Sequence, residues 1–128
     1  MTLMHKILLI EDSEFIREYL EEFFEFHEFE VTGAVESVDE GVKNYLDDKP
    51  DIVIMDMILP GKSGIEGIKE ILNIDKNANI VVCSALGQEL LQAEVMEAGA
   101  RGYIVKPFKE SKILELLNKI LLESDLVQ

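Results

Sequence analysis

The sequence predicts an α/β fold: a five-stranded parallel sheet with helices on both faces. Three observations carry that prediction. Short apolar runs alternate five times with amphipathic stretches of helical period. The runs, such as Ile52-Val53-Ile54-Met55, are apolar without alternation, as strands buried on both sides are. The connections are short, and right-handed crossovers between parallel strands then distribute helices over both faces of the sheet.

Lys6-Ile7-Leu8-Leu9-Ile10 reads as the first strand, ending at Glu11-Asp12, with Ser13 placed to cap the helix that follows. In that helix Ile16, Leu20, Phe23, Phe24 and His27 recur at helical spacing, while Glu14, Glu18, Glu21, Glu22 and Glu25 fill the other side. Val31 to Ala34 is a second, weaker strand. Ser37-Val38-Asp39-Glu40 has the form of a capping box and opens a helix through about Leu46, before Pro50. Asp51 to Asp56 is the third and central strand, interrupted after Asp56 by Pro60 and Gly61. Ser63-Gly64-Ile65-Glu66 offers another capping box for a helix carrying Ile68, Ile71 and Leu72. Asn79 to Ser84 is the fourth strand, and its helix runs from about Gln88 to Ala98 with Gly99 as the residue that ends it. Gly102 to Lys106 is the fifth strand. After Pro107 the last helix shows Ile113, Leu116, Leu117, Ile120 and Leu121.

Composition narrows the function classes. The 128 residues are expected to make one domain, residues 1–128, with no second domain attached. Twelve basic against 26 acidic side chains give a net charge of −14, which opposes direct binding to nucleic acid or anionic lipid. Cys83 is the lone cysteine and cannot close an intramolecular disulfide. Met1 to His5 lack the pattern of a signal peptide, and no apolar run approaches the roughly 20 residues that cross a bilayer. A cytoplasmic, soluble protein is expected.

In an open parallel sheet, polar groups gather at the carboxyl ends of the strands. Those ends supply Glu11 and Asp12, then Asp56, Ser84 and Lys106. Clustered carboxylates oppose one another's ionisation, and a hard divalent cation relieves that cost. Asp12 and Asp56 suit direct ligation of Mg²⁺, Glu11 suits contact through a metal-bound water, and a backbone carbonyl just beyond Asp56 can add a ligand. Asp56 is then a candidate nucleophile toward phosphorus, with Lys106 and the Ser84 hydroxyl pairing with phosphoryl oxygens. Taken singly, each carboxylate has an ordinary reading as a helix cap or a solvated charge, and Tyr103 as an edge aromatic. Convergence with Lys106 separates the two readings.

Glu11-Asp12, Asp56 followed by Leu59-Pro60-Gly61 and Gly64, Ser84-Ala85, Tyr103, and Lys106-Pro107-Phe108 resemble the receiver domain of two-component response regulators. Val82-Cys83-Ser84-Ala85-Leu86-Gly87-Gln88 is similar to the single-domain chemotaxis, CheY-like group. The resemblance covers essentially the whole chain and implies a flavodoxin-like sheet of order 2-1-3-4-5. It implies Asp56 as phospho-acceptor, and Glu11, Asp12, Asp56 and the carbonyl of Ile58 at Mg²⁺ or Mn²⁺. Lys106 would pair with the phosphoryl group, Ser84 and Tyr103 would act as the switch pair, and Lys106-Pro107 would be cis. It also implies a histidine kinase as phosphoryl donor and a downstream protein, such as a flagellar motor switch component, as the reader of the fourth helix, fifth strand and fifth helix. A phosphatase is a further possible partner. The domain would catalyse its own phosphorylation and dephosphorylation while serving as a signalling switch and not an enzyme. A phosphorelay intermediate and a receiver cut from a longer transcriptional regulator are the neighbouring alternatives.

The pattern departs from the family at three places. Glu11 replaces the commoner Asp, and Ser84 stands where many members have Thr, losing the methyl that restricts χ1. Ile58 and Leu86 are bulky and apolar beside the acceptor and the hydroxyl residue, and are expected to hinder the water that hydrolyses the aspartyl phosphate. Other classes fit less well. A haloacid dehalogenase-type aspartyl-phosphate hydrolase wants a second Asp where Ile58 stands, and Glu11-Asp12-Ser13-Glu14 would repel the phosphate of a flavin carrier. A receiver working without phosphorylation would lack the acceptor or the lysine, and both are present.

Overall fold

The computed structural model describes residues 4–85 and 89–127. Strand and helix alternate throughout: β1 (Lys6–Ile10), α1 (Glu14–Phe26), β2 (Glu30–Val35), α2 (Val38–Asp48), β3 (Ile52–Asp56), α3 (Gly64–Ile74), β4 (Ile80–Ser84), α4 (Glu89–Glu97), β5 (Gly102–Val105) and α5 (Glu110–Val127). The strands form one parallel sheet in the order β2-β1-β3-β4-β5.

Successive side chains of a strand point to opposite faces, so the continuous apolar runs divide between two cores. Ile7, Leu9, Ile52, Ile54, Val81 and Cys83 face α1 and α5, where Leu20, Phe24, Ile113 and Leu117 close over them. Leu8, Ile10, Val53, Met55, Ile80 and Val82 face α2, α3 and α4, meeting Val38, Ile68, Ile71 and Val95. Burial on both sides is why these strands carry no polar alternation, and each such side chain contributes on the order of 2 kcal/mol.

The helices begin where the serines allow. Ser13, Ser37 and Ser63 each accept a hydrogen bond from the backbone N–H three residues on, at Ile16, Glu40 and Glu66. At Ser37 the hydroxyl also donates to Glu40 Oε1 (3.1 Å), so the second half of the box closes through the hydroxyl. Helix α4 ends at Glu97 and is closed, as expected, by Gly99, whose φ of +116° lets Gly99 N–H reach Met96 O and Ala100 N–H reach Val95 O.

Several boundaries move from their predicted places. The second strand is longer than Val31–Ala34 because Glu30 and Val35 both pair with β1, opposite Lys6 and Ile10. A bulge at Thr32 interrupts that pairing, which passes from Ile7↔Val31 to Leu8↔Gly33. The first helix stops at Phe26, and His27 is its cap, packed edge-on against Phe23 at 4.8 Å. The same 6→1 and 5→2 closure used at Gly99 recurs here without a glycine, Glu28 taking φ +66°. Helix α2 continues past Leu46 to Asp48, and Lys49 turns left-handed before Pro50. Strand β5 ends at Val105, although Lys106 N–H still donates to Ser84 O (2.8 Å). The predicted start of the fourth helix at Gln88 lies outside the described residues.

Candidate functional site

Register assembles the site. Ile10 pairs with Met55, and Glu11 N–H donates to Val35 O (2.9 Å), so the chain stays in line one residue beyond β1 and brings Glu11 beside Asp56. Glu11, Asp56 and Lys106 each continue the strand parity of Leu9, Ile54 and Ile104, the side covered by α1 and α5. Their ends converge at the carboxyl edge of the sheet. Lys106 Nζ lies 2.6 Å from Glu11 Oε1 and 3.1 Å from Asp56 Oδ2, and Ile58 N–H donates to Asp56 Oδ1 (3.3 Å). One ligand oxygen each from Glu11, Asp12 and Asp56 lies within 4.8 Å of the others.

Two close approaches hold the frame. A Cβ on Gly64 would stand 2.8 Å from the carbonyl oxygen of Asp56 and 2.9 Å from Met57 Cα, so only glycine lets α3 start this near the acceptor. Gly64 N–H donates to Met57 O (2.8 Å). On the other flank, Arg17 of α1 turns back toward the loop: Nη1 donates to Glu11 O (2.7 Å) and Asp12 O (3.0 Å). Sequence reading passed over Arg17. The available signal was a single cation within a helix of five glutamates, five residues beyond the acidic pair.

Electrostatically, the cluster holds more negative charge than Lys106 balances. Burial pushes the Glu11 carboxyl up to about 7, with adjacent Asp56 adding to the rise and Lys106 opposing it. Burial disfavours the Lys106 ammonium, but its bond to Glu11 and the nearby Asp56 outweigh this and raise it, so it stays charged. Burial likewise pushes the Cys83 thiol up to about 12, which keeps it protonated beneath the charged groups. Protonated, Glu11 shares a hydrogen bond with Asp56; ionised, it leaves its buried Oε2 with no donor to accept from. An orphaned oxygen in a nest of three carboxylates fits a hard cation of the Mg²⁺ or Mn²⁺ kind, and the residues present could hold one.

The remaining candidates fall into two groups. Ser84, buried at the end of β4, and Tyr103, half-buried on β5, share the opposite face of the sheet, with Val82 paired to Tyr103 and Val105 to Ser84. Their face is the one that α4 covers. Ile58 is 64% exposed, next to Asp56, and the Lys106-Pro107 peptide is cis, as expected. Leu86 lies outside the described residues. Among the described residues no helix is long and apolar enough to cross a membrane.

Comparison with known proteins meets this geometry from another direction. Residues 7–118 match the response regulator receiver domain. The chain is 44% identical over 115 residues to the chemotaxis protein CheY of Thermotoga maritima, covering 90% of this chain and 96% of that one. It is 38% identical over 117 residues to the chemotaxis protein CheY of Bacillus subtilis, covering 91% and 98%. Among solved structures it resembles a chain of the CheX-CheY-BeF3-Mg+2 complex from Borrelia burgdorferi, with a TM-score of 0.87 at 30% identity over 91% of this chain and 88% of that one. Strand order, acidic cluster and sequence agree, and the chain belongs to the response regulator receiver domain family.

Proposed function

We propose that this chain is a phosphorylation-activated response regulator of the chemotaxis type, with Asp56 as phospho-acceptor. The observation that carries this reading is Lys106 Nζ 3.1 Å from Asp56 Oδ2 inside a cluster of three carboxylates. An Asp56 oxygen attacks phosphorus as the bond to the imidazole nitrogen of the kinase phosphohistidine breaks, leaving an aspartyl phosphate and a free histidine. Lys106 releases Asp56 Oδ2 and pairs with a phosphoryl oxygen, and the Ser84 hydroxyl donates to another. Glu11, Asp12, Asp56 and the Ile58 carbonyl would hold Mg²⁺ or Mn²⁺, which when bound supplies positive charge against the phosphoryl oxygens.

Output follows from the position of Ser84. Drawing its hydroxyl toward the phosphoryl group opens space on the face it shares with Tyr103, whose ring turns inward and reshapes the surface of α4, β5 and α5. A groove of about 540 Å³ between β5 and α5, lined by Tyr103, Val105, Pro107, Lys112 and Leu116, supports part of that surface as a docking place. The Borrelia relative is solved in complex with a second protein, CheX, which supports a surface that binds protein. A flagellar motor switch component is the first expected partner, a histidine kinase the donor, and a phosphatase the means of resetting, with the chain itself acting in the cytoplasm. The chain is a switch that catalyses its own modification and turns over no external substrate. A phosphorelay role is the second reading, favoured by 32% identity over 119 residues to the sporulation initiation phosphotransferase F of Bacillus subtilis.

Incubation with acetyl phosphate and Mg²⁺ is expected to add one phosphoryl group to the intact mass, acid-stable and hydroxylamine-labile, and none to Asp56→Asn. An unchanged mass in the parent, under conditions that preserve acyl phosphates, overturns the reading.

A further inference from the structure

We infer that Arg17 is a positioning residue for the metal site, holding the backbone of the acidic pair so that both carboxylates face Asp56; this rests on the reading of Glu11 and Asp12 as metal-binding. The Arg17 side chain is only 14% exposed. A buried cation is costly unless closely paired, and α1 offers glutamates at positions 14, 18, 21, 22 and 25. Arg17 instead spends its shortest bonds on two carbonyls, Glu11 O at 2.7 Å and Asp12 O at 3.0 Å, with Glu36 Oε1 farther off at 3.6 Å.

The consequence is geometric. Residues 11 and 12 lie past the end of β1, where the parallel ladder has only Glu11 N–H to Val35 O left to hold them. One nitrogen shared by two successive carbonyls fixes the orientation of both peptide units, and hence the directions in which the two side chains leave the backbone. The opposite end of the guanidinium reaches Glu36, just after β2, so the fork ties the loop to a second strand end. Groups that orient metal ligands without touching the metal typically govern affinity by about tenfold or more. A lysine keeps the charge, but its single nitrogen cannot meet the two carbonyls and reach Glu36 at once as the planar guanidinium does.

The test measures Mn²⁺ affinity by calorimetry and thermal stability in chelator, in parent, Arg17→Met, Arg17→Lys and Glu36→Gln. Arg17→Met is expected to weaken Mn²⁺ binding about tenfold, Arg17→Lys about threefold, and Glu36→Gln less than twofold. Tyr45→Phe, which loses the bond to Asp75 Oδ2 far from the site, is the control for stability alone, expected to lower the melting temperature and leave Mn²⁺ affinity unchanged. Amide exchange over residues 11–13 is expected to quicken in Arg17→Met even without metal. If Arg17→Met does not fold, Arg17→Lys decides. Parent-like affinity in the folded Arg17 variants overturns the positioning role and leaves the site intact. Failure of the parent itself to bind Mn²⁺ overturns the metal reading, and this inference with it.

Discussion

At Ile58 the backbone and the side chain are set to different tasks. The N–H donates to Asp56 Oδ1, which steadies the acceptor, while the side chain stands 64% exposed beside it. A branched apolar group there would offer no hydrogen bond to a water approaching phosphorylated Asp56 and would narrow its path. Ile58→Asn is expected to shorten the lifetime of the phosphorylated form by about threefold or more, equivalent to roughly 0.7 kcal/mol of barrier. Loss of label from the purified phosphoprotein checks this, and an equal or longer lifetime in the variant refutes the steric role. Among individual residues, Glu11, Asp12, Asp56 and Lys106 were legible in the sequence because strand ends in a parallel sheet have one place to meet. Arg17 was not, because its function lies in bonds to carbonyls, which leave no trace in residue type.

The elements were readable to the extent that local chemistry sets them. Serine caps and the Gly99 terminus were placed correctly, since a side-chain acceptor and an absent Cβ are sequence properties. The closure of α1 was not legible because Glu28 adopts φ +66° without being glycine, and the ends of β2 were placed too short because pairing with β1 sets them. The turn between β3 and α3 separates two kinds of glycine requirement. Gly61 has φ +80° with open space around it, so Gly61→Ala is expected to cost only about 1 kcal/mol of backbone strain. Gly64 meets the Asp56 carbonyl and the Met57 backbone, neither of which can yield without moving the acceptor. Gly64→Ala is therefore expected to cost about 2–3 kcal/mol in urea unfolding. It should also slow phosphorylation by acetyl phosphate, whereas Gly61→Ala should leave that rate near the parent's.

For the whole molecule, a net charge of −14 and a buried carboxylate cluster act in the same direction as pH rises. Self-repulsion grows as acids ionise, and Glu11 adds a specific contribution because burial moves it from 4.5 to about 7 on folding. Its folded-state pKa lies above its unfolded value, so the folded chain holds a proton that the unfolded chain releases. The stability linked to that proton is fully present below about pH 4.5 and is lost as pH climbs through about 7, a change on the order of 3 kcal/mol. A cation reverses the sign, since it requires Glu11 ionised and stabilises the fold in proportion to its binding. The metal-free protein is accordingly expected to melt several degrees lower at about pH 8 than at about pH 6. Excess Mg²⁺ should raise the melting temperature far more at the higher pH. In Glu11→Gln the residual metal-free slope reflects the general charge alone, and the pH dependence of the Mg²⁺ effect should largely vanish. A parent whose response to Mg²⁺ is the same at both pH values would mean that no proton is displaced when the cation enters, and that Glu11 is already ionised beside Lys106.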